Sequence, residues 1–139
     1  MMIKTETLEL QSKGHGDILD LTARVAEIVT QSKLKDGIVT VFVIGSTAAI
    51  TTIEFEPNLV ADFNEMWQKL APEGVPYHHD NTWGDANGYA HVRASLLGAS
   101  LVIPFNGGKL VLGTWQQVVL VDFDERPRRR KIVVQVMGK

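Results

Sequence analysis

The chain has 139 residues, of which 45% are hydrophobic and 22% charged, with a formal net charge of −2 and no cysteine. This length predicts one domain over residues 1–139, with enough core to fold without disulfides. The composition excludes thiolate chemistry and cysteine-based zinc sites, and the charge does not support nucleic-acid binding. Without an apolar signal core or a run of ~18 apolar residues, we expect a cytoplasmic protein with no membrane contact.

The first part of the chain changes from a strand pattern to a helix pattern. Polar and apolar residues alternate over 3–10, which predicts a half-buried strand. Glycines on both sides of His15 break this strand. Apolar residues at helical spacing then predict a helix that Asp17 or Asp20 caps and that ends near Lys35.

A strand with an interruption of small residues follows. Residues 38–44 are nearly all apolar and β-branched, which is typical of a buried strand. Small residues at 45–49 predict a bend, or a place where another backbone or a ligand lies close, before the strand resumes over 50–55. Pro57 then suits the first turn of a helix that ends at Leu70.

The last part of the chain predicts a loop, a short helix and a series of strands. The polar, glycine-rich segment 77–88 predicts the loop, and residues 89–97 predict the helix. Glycines at 107–108 indicate a hairpin. The predicted strands are residues 101–105, 109–112, 115–123 and 131–137. Because short turns link these strands, we predict an α+β fold, an antiparallel β-sheet system with about three helices, and we place Trp115 in its core.

Histidines gather in and just after the polar segment. His79 lies in the predicted loop and His91 on the helix that follows. Neutral imidazole binds divalent metals and also serves as a general acid or base. Asp80 or Asp85 would add an oxygen ligand or orient a histidine. Since the spacing of the two histidines matches no known metal motif, an ordinary structural hydrogen bond is the alternative interpretation.

The densest cluster of positive charge lies between the last two predicted strands. It comprises Arg126, Arg128, Arg129, Arg130 and Lys131. Arginine grips phosphate or carboxylate groups with two parallel hydrogen bonds, so the cluster predicts an anion site. The alternative is a solvated hairpin whose charges protect an edge strand.

Two further polar side chains lie within or beside apolar strands. Glu54 is either a ligand or base, or the outward face of a half-buried strand. Gln116 lies at the start of a predicted strand, and we expect it to project to the same end of the sheet as the polar segment.

Several segments of the chain resemble motifs of the YjbQ-like family, the secondary thiamine-phosphate synthase family. In chain order they are TAAIT at 47–51 with Glu54 and Pro57, the run NGYAHVRASLLGAS at 87–100, LGTWQ at 112–116, and RRK at 129–131 with the apolar strand and Gly138 that follow. The similarity runs in order over nearly the whole chain, and the joint match is specific although no single piece would be.

The resemblance implies a compact YjbQ-like α+β domain that assembles as a homotrimer, with sites between subunits that hold a small phosphorylated metabolite. It also implies a weak thiamine-phosphate synthase activity, which joins a hydroxymethylpyrimidine diphosphate to a thiazole phosphate and releases pyrophosphate. Either a divalent metal or arginines would neutralise the leaving pyrophosphate, and we expect a divalent metal, Mg²⁺ or Zn²⁺. Carried over by position, the catalytic candidates are His91, His79 and Glu54, with His79 and His91 also as metal ligands. The substrate-binding candidates are Arg129, Arg130, Gln116, Ser95 and Asn87.

The chain departs from the family pattern at one position. The family's first motif commonly begins with a histidine, and here Gly45 occupies that place. A site of three histidines would be reduced to two, with Glu54 or Asp85 as a possible substitute. Two other functions therefore stay open: a trimer that binds a metal or a phosphorylated metabolite without turnover, and a metal-dependent hydrolase that uses a bound water.

Overall fold

The structure is a computed structural model that describes residues 1–139 and contains eight strands and four helices. The strands are Met2–Ser12 (β1), Asp17–Asp20 (β2), Gly37–Ile44 (β3), Ala48–Ile53 (β4), Ser100–Asn106 (β5), Lys109–Leu110 (β6), Gln117–Asp122 (β7) and Arg128–Gly138 (β8). The helices are Thr22–Ser32 (α1), Pro57–Leu70 (α2), Asp80–Trp83 (α3) and Gly88–Leu97 (α4). None of these helices is long and apolar enough to cross a membrane. The predicted α+β class is confirmed.

The strands form two antiparallel sheets. The larger sheet has five strands in the order β1-β8-β3-β5-β6, and the smaller has three in the order β2-β7-β4. The predicted hairpin joins β5 to β6 through Gly107 and Gly108, whose φ angles of 57° and 76° suit a two-residue turn. Strand β8 pairs with β1 on one side and β3 on the other, so its side chains alternate between a buried and a more exposed face.

The main core lies between the two sheets, and a second core covers the outer face of the smaller sheet. Strand β7 contributes to both, because Val118 and Leu120 face the first core while Val119 and Val121 face the second. In the second core, Trp67 of α2 and residues of α4 pack on this outer face. This packing fixes α4, which carries His91, against the smaller sheet next to β4.

Three sequence predictions are corrected by the structure. Residues Asp17–Asp20 form strand β2 and not the start of a helix, because they pair with β7; Asp20 still accepts a hydrogen bond from the Thr22 amide at the start of α1. The predicted loop contains the short helix α3. Trp115 is 72% exposed, since it lies in the turn before β7 and not in the strand.

Candidate functional site

Alternation along β8 divides the arginine cluster between two faces. Arg128 and Arg130 project from one face of the strand, and Arg129 projects from the other. Arg129 is 72% exposed and its Nη2 pairs with Glu9 of the neighbouring strand at 2.7 Å. Arg130, by contrast, is 7% exposed and turns toward the end of the smaller sheet. Only two arginines of the cluster therefore reach the site described below.

Two buried aspartates hold these arginines in place. Asp122, fully buried at the end of β7, accepts from Arg130 Nε at 2.7 Å and from Nη2 at 2.9 Å. Asp124, 1% exposed, accepts from Arg128 Nε at 2.7 Å. Thr47 joins the two pairs, because its hydroxyl accepts from Arg130 and donates to Asp124. The arginine heads are thus fixed by a hydrogen-bonded network and not by packing alone.

Gly45 leaves the space that Arg130 uses. A Cβ atom at this position would lie 2.6 Å from Arg130 Nη1, which is closer than two such atoms can approach. The φ angle of Gly45 is +155°, a conformation that residues with side chains rarely adopt. The guanidinium of Arg130 therefore occupies part of the volume that a side chain at this position would fill.

The polar segment 77–88 and the following helix α4 form the wall of the site opposite the arginines. His79 stands at the start of α3 and His91 lies on the first half of α4, and their ring centroids are 4.3 Å apart. Asp85 Oδ1 lies 3.7 Å from His79 Nδ1, which places the carboxylate beside the imidazole without a hydrogen bond. Asn87, at the N-terminus of α4, donates from Nδ2 to Asp124 Oδ1 at 3.3 Å. This last contact links the histidine wall to the arginine network.

The environment shifts the pKa values of two groups in opposite walls of the site. Burial lowers the pKa of His91, and the charge of His79 lowers it further, so His91 favours the neutral form at neutral pH. Burial alone would raise the pKa of Asp124, but hydrogen bonds from Thr47, Arg128, the Glu125 amide and Asn87 outweigh it and the pKa is lowered. The site thus presents a neutral imidazole opposite an ionised carboxylate that holds an arginine.

Together these side chains line one open cavity of about 340 Å³, which we call the histidine–arginine pocket. Its lining is almost entirely polar and consists of Gly45, Ser46, Thr47, His79, Trp83, Asp85, Asn87, His91, Asp124, Arg128 and Arg130. A cavity of this size lies near the lower end of the range for small-molecule sites, about 300–1,000 Å³. The pocket can therefore take one small polar molecule.

Comparison with known proteins identifies the family. The model of the family described as UPF0047 protein YjbQ-like matches residues 6–139. The chain belongs to this family. A UPF0047 protein of Archaeoglobus fulgidus is 38% identical over 130 residues, which are 94% of this chain and 98% of that protein. A UPF0047 protein of Methanothermobacter thermautotrophicus is 35% identical over 139 residues, which are 100% of this chain and 95% of that protein.

Solved structures agree with this assignment. A YbjQ-like protein of unknown function from Sulfolobus solfataricus matches with a TM-score of 0.89 and 34% identity, over 99% of this chain and 100% of that one. A hypothetical protein from Aeropyrum pernix K1 matches with a TM-score of 0.90 and 32% identity, over 98% of this chain and 99% of that one. The resemblance found in the sequence motifs is therefore confirmed at the level of family and fold.

The predicted site residues of this YjbQ-like chain fall in several places. His79, His91, Asn87 and Arg130 line the histidine–arginine pocket. Glu54 and Gln116 lie instead in a second cavity of about 390 Å³ beyond the end of β4. There Gln116 Nε2 donates to Thr52 Oγ1 at 3.1 Å. One chain thus separates residues that the family motifs would group together.

Two predicted residues lie outside both cavities. Ser95 is exposed on α4, and Arg129 pairs with Glu9 on the other face of β8. Sequence reasoning, in turn, placed Arg128 in the basic cluster but not among the substrate-binding candidates, and it did not assign Asp124 to the site. The alternation of side chains along a strand would have grouped Arg128 with Arg130. Asp124 has no such signal, because it lies in what looks like an ordinary turn.

The pocket fits a divalent metal only in part. No group of three or more His, Asp or Glu side chains is arranged to hold a metal ion. The imidazoles of His79 and His91 are neighbours, with ring centroids 4.3 Å apart, and the lowered pKa of His91 favours the neutral form that ligation requires. An ion held by these two residues would need further ligands from a bound phosphate or from water.

The lowered pKa of His91 predicts a pH dependence of stability in this family member. The unfolded chain takes up a proton near pH 6.5 while folded His91 resists it, so the free energy of unfolding should fall as pH drops below about 6.5. This contribution is fully present above that pH. We expect His91→Gln to reduce the slope of urea-unfolding free energy against pH between pH 7.5 and 5.5. His78→Gln, an exposed neighbour, should keep the parent slope, and an unchanged slope in His91→Gln would contradict the assignment.

Proposed function

We propose that the histidine–arginine pocket binds the phosphate group of a small metabolite, and that the protein is a weak transferase of the thiamine-phosphate synthase type. The observation that supports this proposal is the meeting of two kinds of group in one cavity. His79 and His91 stand on one wall, and Arg128 and Arg130 stand on the other. Imidazoles accept and donate protons, and arginines bind phosphate oxygens. A reaction of a phosphorylated substrate needs both kinds of group.

The arginines keep donors available for a ligand. Arg130 uses Nε and Nη2 on Asp122 and Thr47, and its Nη1 makes no hydrogen bond within the chain. Arg128 uses Nε on Asp124, and its two terminal nitrogens make none. These donors are held rigidly at the pocket, so binding an anion would cost little side-chain ordering.

The proposed reaction suits such a site. The ring nitrogen of the thiazole attacks the methylene carbon of the pyrimidine diphosphate, a C–N bond forms, and the C–O bond to the diphosphate breaks. Pyrophosphate leaves with the electron pair of that bond. Arg128 and Arg130 would stabilise the negative charge that develops on it, which is the kind of electrostatic stabilisation that lowers a barrier most.

His79 and His91 would hold a divalent metal, Mg²⁺ or Zn²⁺, together with phosphate oxygens. Such an ion would neutralise further charge on the leaving pyrophosphate. The lowered pKa of His91 favours this role, or that of a base, over the role of a proton donor at neutral pH. Asp85, beside His79, would orient its ring in either case.

We further propose that the active form is a homotrimer with sites between subunits, as the resemblance implies. On one chain Glu54 and Gln116 line a cavity separate from the histidine–arginine pocket. Assembly would bring the second cavity of one subunit to the pocket of its neighbour. The separation of these motif residues on one chain supports this arrangement.

The deciding experiment measures thiamine-phosphate formation from the two phosphorylated precursors with Mg²⁺, for the parent and for His91→Ala. We expect activity in the parent and a loss of about 10²–10⁴-fold in the variant, the usual contribution of a positioned acid–base or ligand group. His78→Ala is the matched control, since His78 is exposed and lines none of the cavities described above. Equal activity of His91→Ala and the parent would overturn the role of the pocket.

Binding without turnover is the second candidate, and Gly45 favours it. With no histidine at this position, only two histidines face the pocket, and no third acidic or histidine ligand completes a metal group. Saturable binding of phosphate esters with no product from the two precursors would select this function over the transferase.

A further inference from the structure

Arg93 is a buried arginine that does not line the histidine–arginine pocket. It lies on α4 two residues after His91, and it is 6% exposed. No ion pair of the chain includes it. Burial of a charged group without an opposite charge costs free energy, and apolar side chains of similar volume often stabilise a core as well or better. Stability alone therefore does not explain an arginine at this position.

The guanidinium of Arg93 joins α4 to the end of α2. Its Nε donates to the carbonyl oxygen of Ala71, the C-cap residue of α2, at 2.9 Å. Its Nη2 donates to Gln68 Oε1 at 3.2 Å. The Gln68 side chain also exchanges two hydrogen bonds with the backbone of Glu73. Arg93 therefore fixes α4 against the connection from α2 to α3, which carries His79.

The same guanidinium lies against the segment that holds the pocket arginines. Its Cζ atom is 5.0 Å from the ring centroid of Tyr89 and 5.7 Å from that of Phe123. Phe123 is fully buried and lies between Asp122 and Asp124, the two carboxylates that bind the pocket arginines. A cation over an aromatic face is attracted by the ring, and more strongly when it is removed from water. Arg93 thus also contacts the residue that joins the two aspartates.

We propose that Arg93 is a positioning residue, whose contacts hold His91 in place relative to His79 and to the Asp122–Asp124 segment. It acts through its own helix, because it does not line the pocket. Arginine suits this task, since its planar fork donates in fixed directions while its faces stack on rings, and lysine offers neither. The effect on affinity rests on the proposed phosphate binding, whereas the position of His91 can be measured without a ligand.

Nuclear magnetic resonance tests the geometry in the free protein. The rings of His79 and His91, with centroids 4.3 Å apart, should give a nuclear Overhauser effect between their ring protons in the parent. We expect this effect to be lost in Arg93→Met and in Arg93→Lys. Val25→Ala is the matched control, because truncation of a buried valine on α1 in the main core lowers stability far from these contacts. It should keep the effect.

Titration with ethyl phosphate then measures the consequence for binding. We expect both Arg93 variants to bind about tenfold more weakly than the parent, the effect of one misplaced hydrogen bond to a charged group, and Val25→Ala to bind as the parent does. Lysine keeps the charge but not the planar fork. Parent affinity in Arg93→Lys with loss in Arg93→Met would mean that the charge acts through its field, and would overturn the positioning role.

The other outcomes separate this inference from the function on which it rests. A nuclear Overhauser effect of parent intensity in Arg93→Met would overturn the inference, whether or not ethyl phosphate binds. An equal loss in Val25→Ala would overturn it too, because general destabilisation would then account for the change. No binding of ethyl phosphate by the parent would overturn the proposed function, and the resonance measurement would still decide the role of Arg93. If Arg93→Met does not fold, Arg93→Lys serves for both measurements.

Discussion

Arg130→Met should destabilise the protein by about 3–5 kcal/mol, the usual cost of removing one partner of a buried ion pair. Arg130 contacts Asp122 through two hydrogen bonds and also lies 3.8 Å from Asp124. Those carboxylates are 0% and 1% exposed, so removal of the guanidinium leaves negative charge buried without its partner. Urea unfolding of parent and variant, followed by tryptophan fluorescence, measures the loss.

Arg129→Met is the matched control, one residue along the same strand. Arg129 pairs with Glu9 in solvent, and such exposed pairs contribute at most about 1 kcal/mol. Equal losses in the two variants would contradict the difference in burial. If Arg130→Met does not fold, the double variant Arg130→Met with Asp122→Asn tests the same mechanism. It should recover part of the stability, because it removes the unpaired charge.

The contrast between Arg129 and Arg130 shows what the sequence could predict. The basic cluster was visible in the sequence, and β8 was predicted as a strand, although from residue 131 and not from Arg128. Period-two alternation, applied from Arg128 onward, separates the arginine that pairs in solvent from those that reach the pocket. The predicted start of β8 was three residues too late. This left Arg128, Arg129 and Arg130 outside the predicted strand, so the alternation of their side chains was not applied.

Other parts of the site depend on contacts that no local pattern encodes. Asp17–Asp20 carries a helix-like pattern, yet it forms a strand because pairing with β7 satisfies its backbone. Trp115 is apolar but lies in a turn, where Gln116 Oε1 accepts from the Gly113 amide. Such tertiary pairing overrides local preference. The 3.6-residue spacing in α2 and the glycine hairpin at 107–108 were local signals, and both were predicted correctly.

Long-range geometry also explains the division of the motif residues. The family resemblance groups His91 and Glu54 in one site, but on this chain they line different cavities. The order of residues along the chain does not show at which end of a strand a distant loop packs, so it could not show that these two residues lie apart. The sequence also could not predict that the side-chain oxygen of Asn87 has no hydrogen-bond partner. This depends on the hydrogen bond that directs the amide nitrogen toward Asp124.

Gly45→Ala should lower both stability and phosphate affinity. The φ of +155° costs a residue with a side chain about 1–3 kcal/mol, and the new Cβ would lie 2.6 Å from Arg130 Nη1. Relief of that overlap requires Arg130 to shift within a packed network, which adds about 1–3 kcal/mol. Ethyl phosphate should bind about tenfold more weakly, because the displaced Nη1 is one of the donors proposed to hold it.

Gly98→Ala isolates the backbone component of this effect. Gly98 has a φ of +100°, and a Cβ added there meets nothing within 4 Å. This control should therefore lose only the conformational part of the stability and keep the parent affinity for ethyl phosphate. Equal stability losses in the two variants, with unchanged phosphate binding in Gly45→Ala, would mean that Arg130 does not depend on the missing side chain. A greater loss in Gly45→Ala, together with weaker phosphate binding, would mean that the missing side chain at Gly45 makes room for the guanidinium of Arg130.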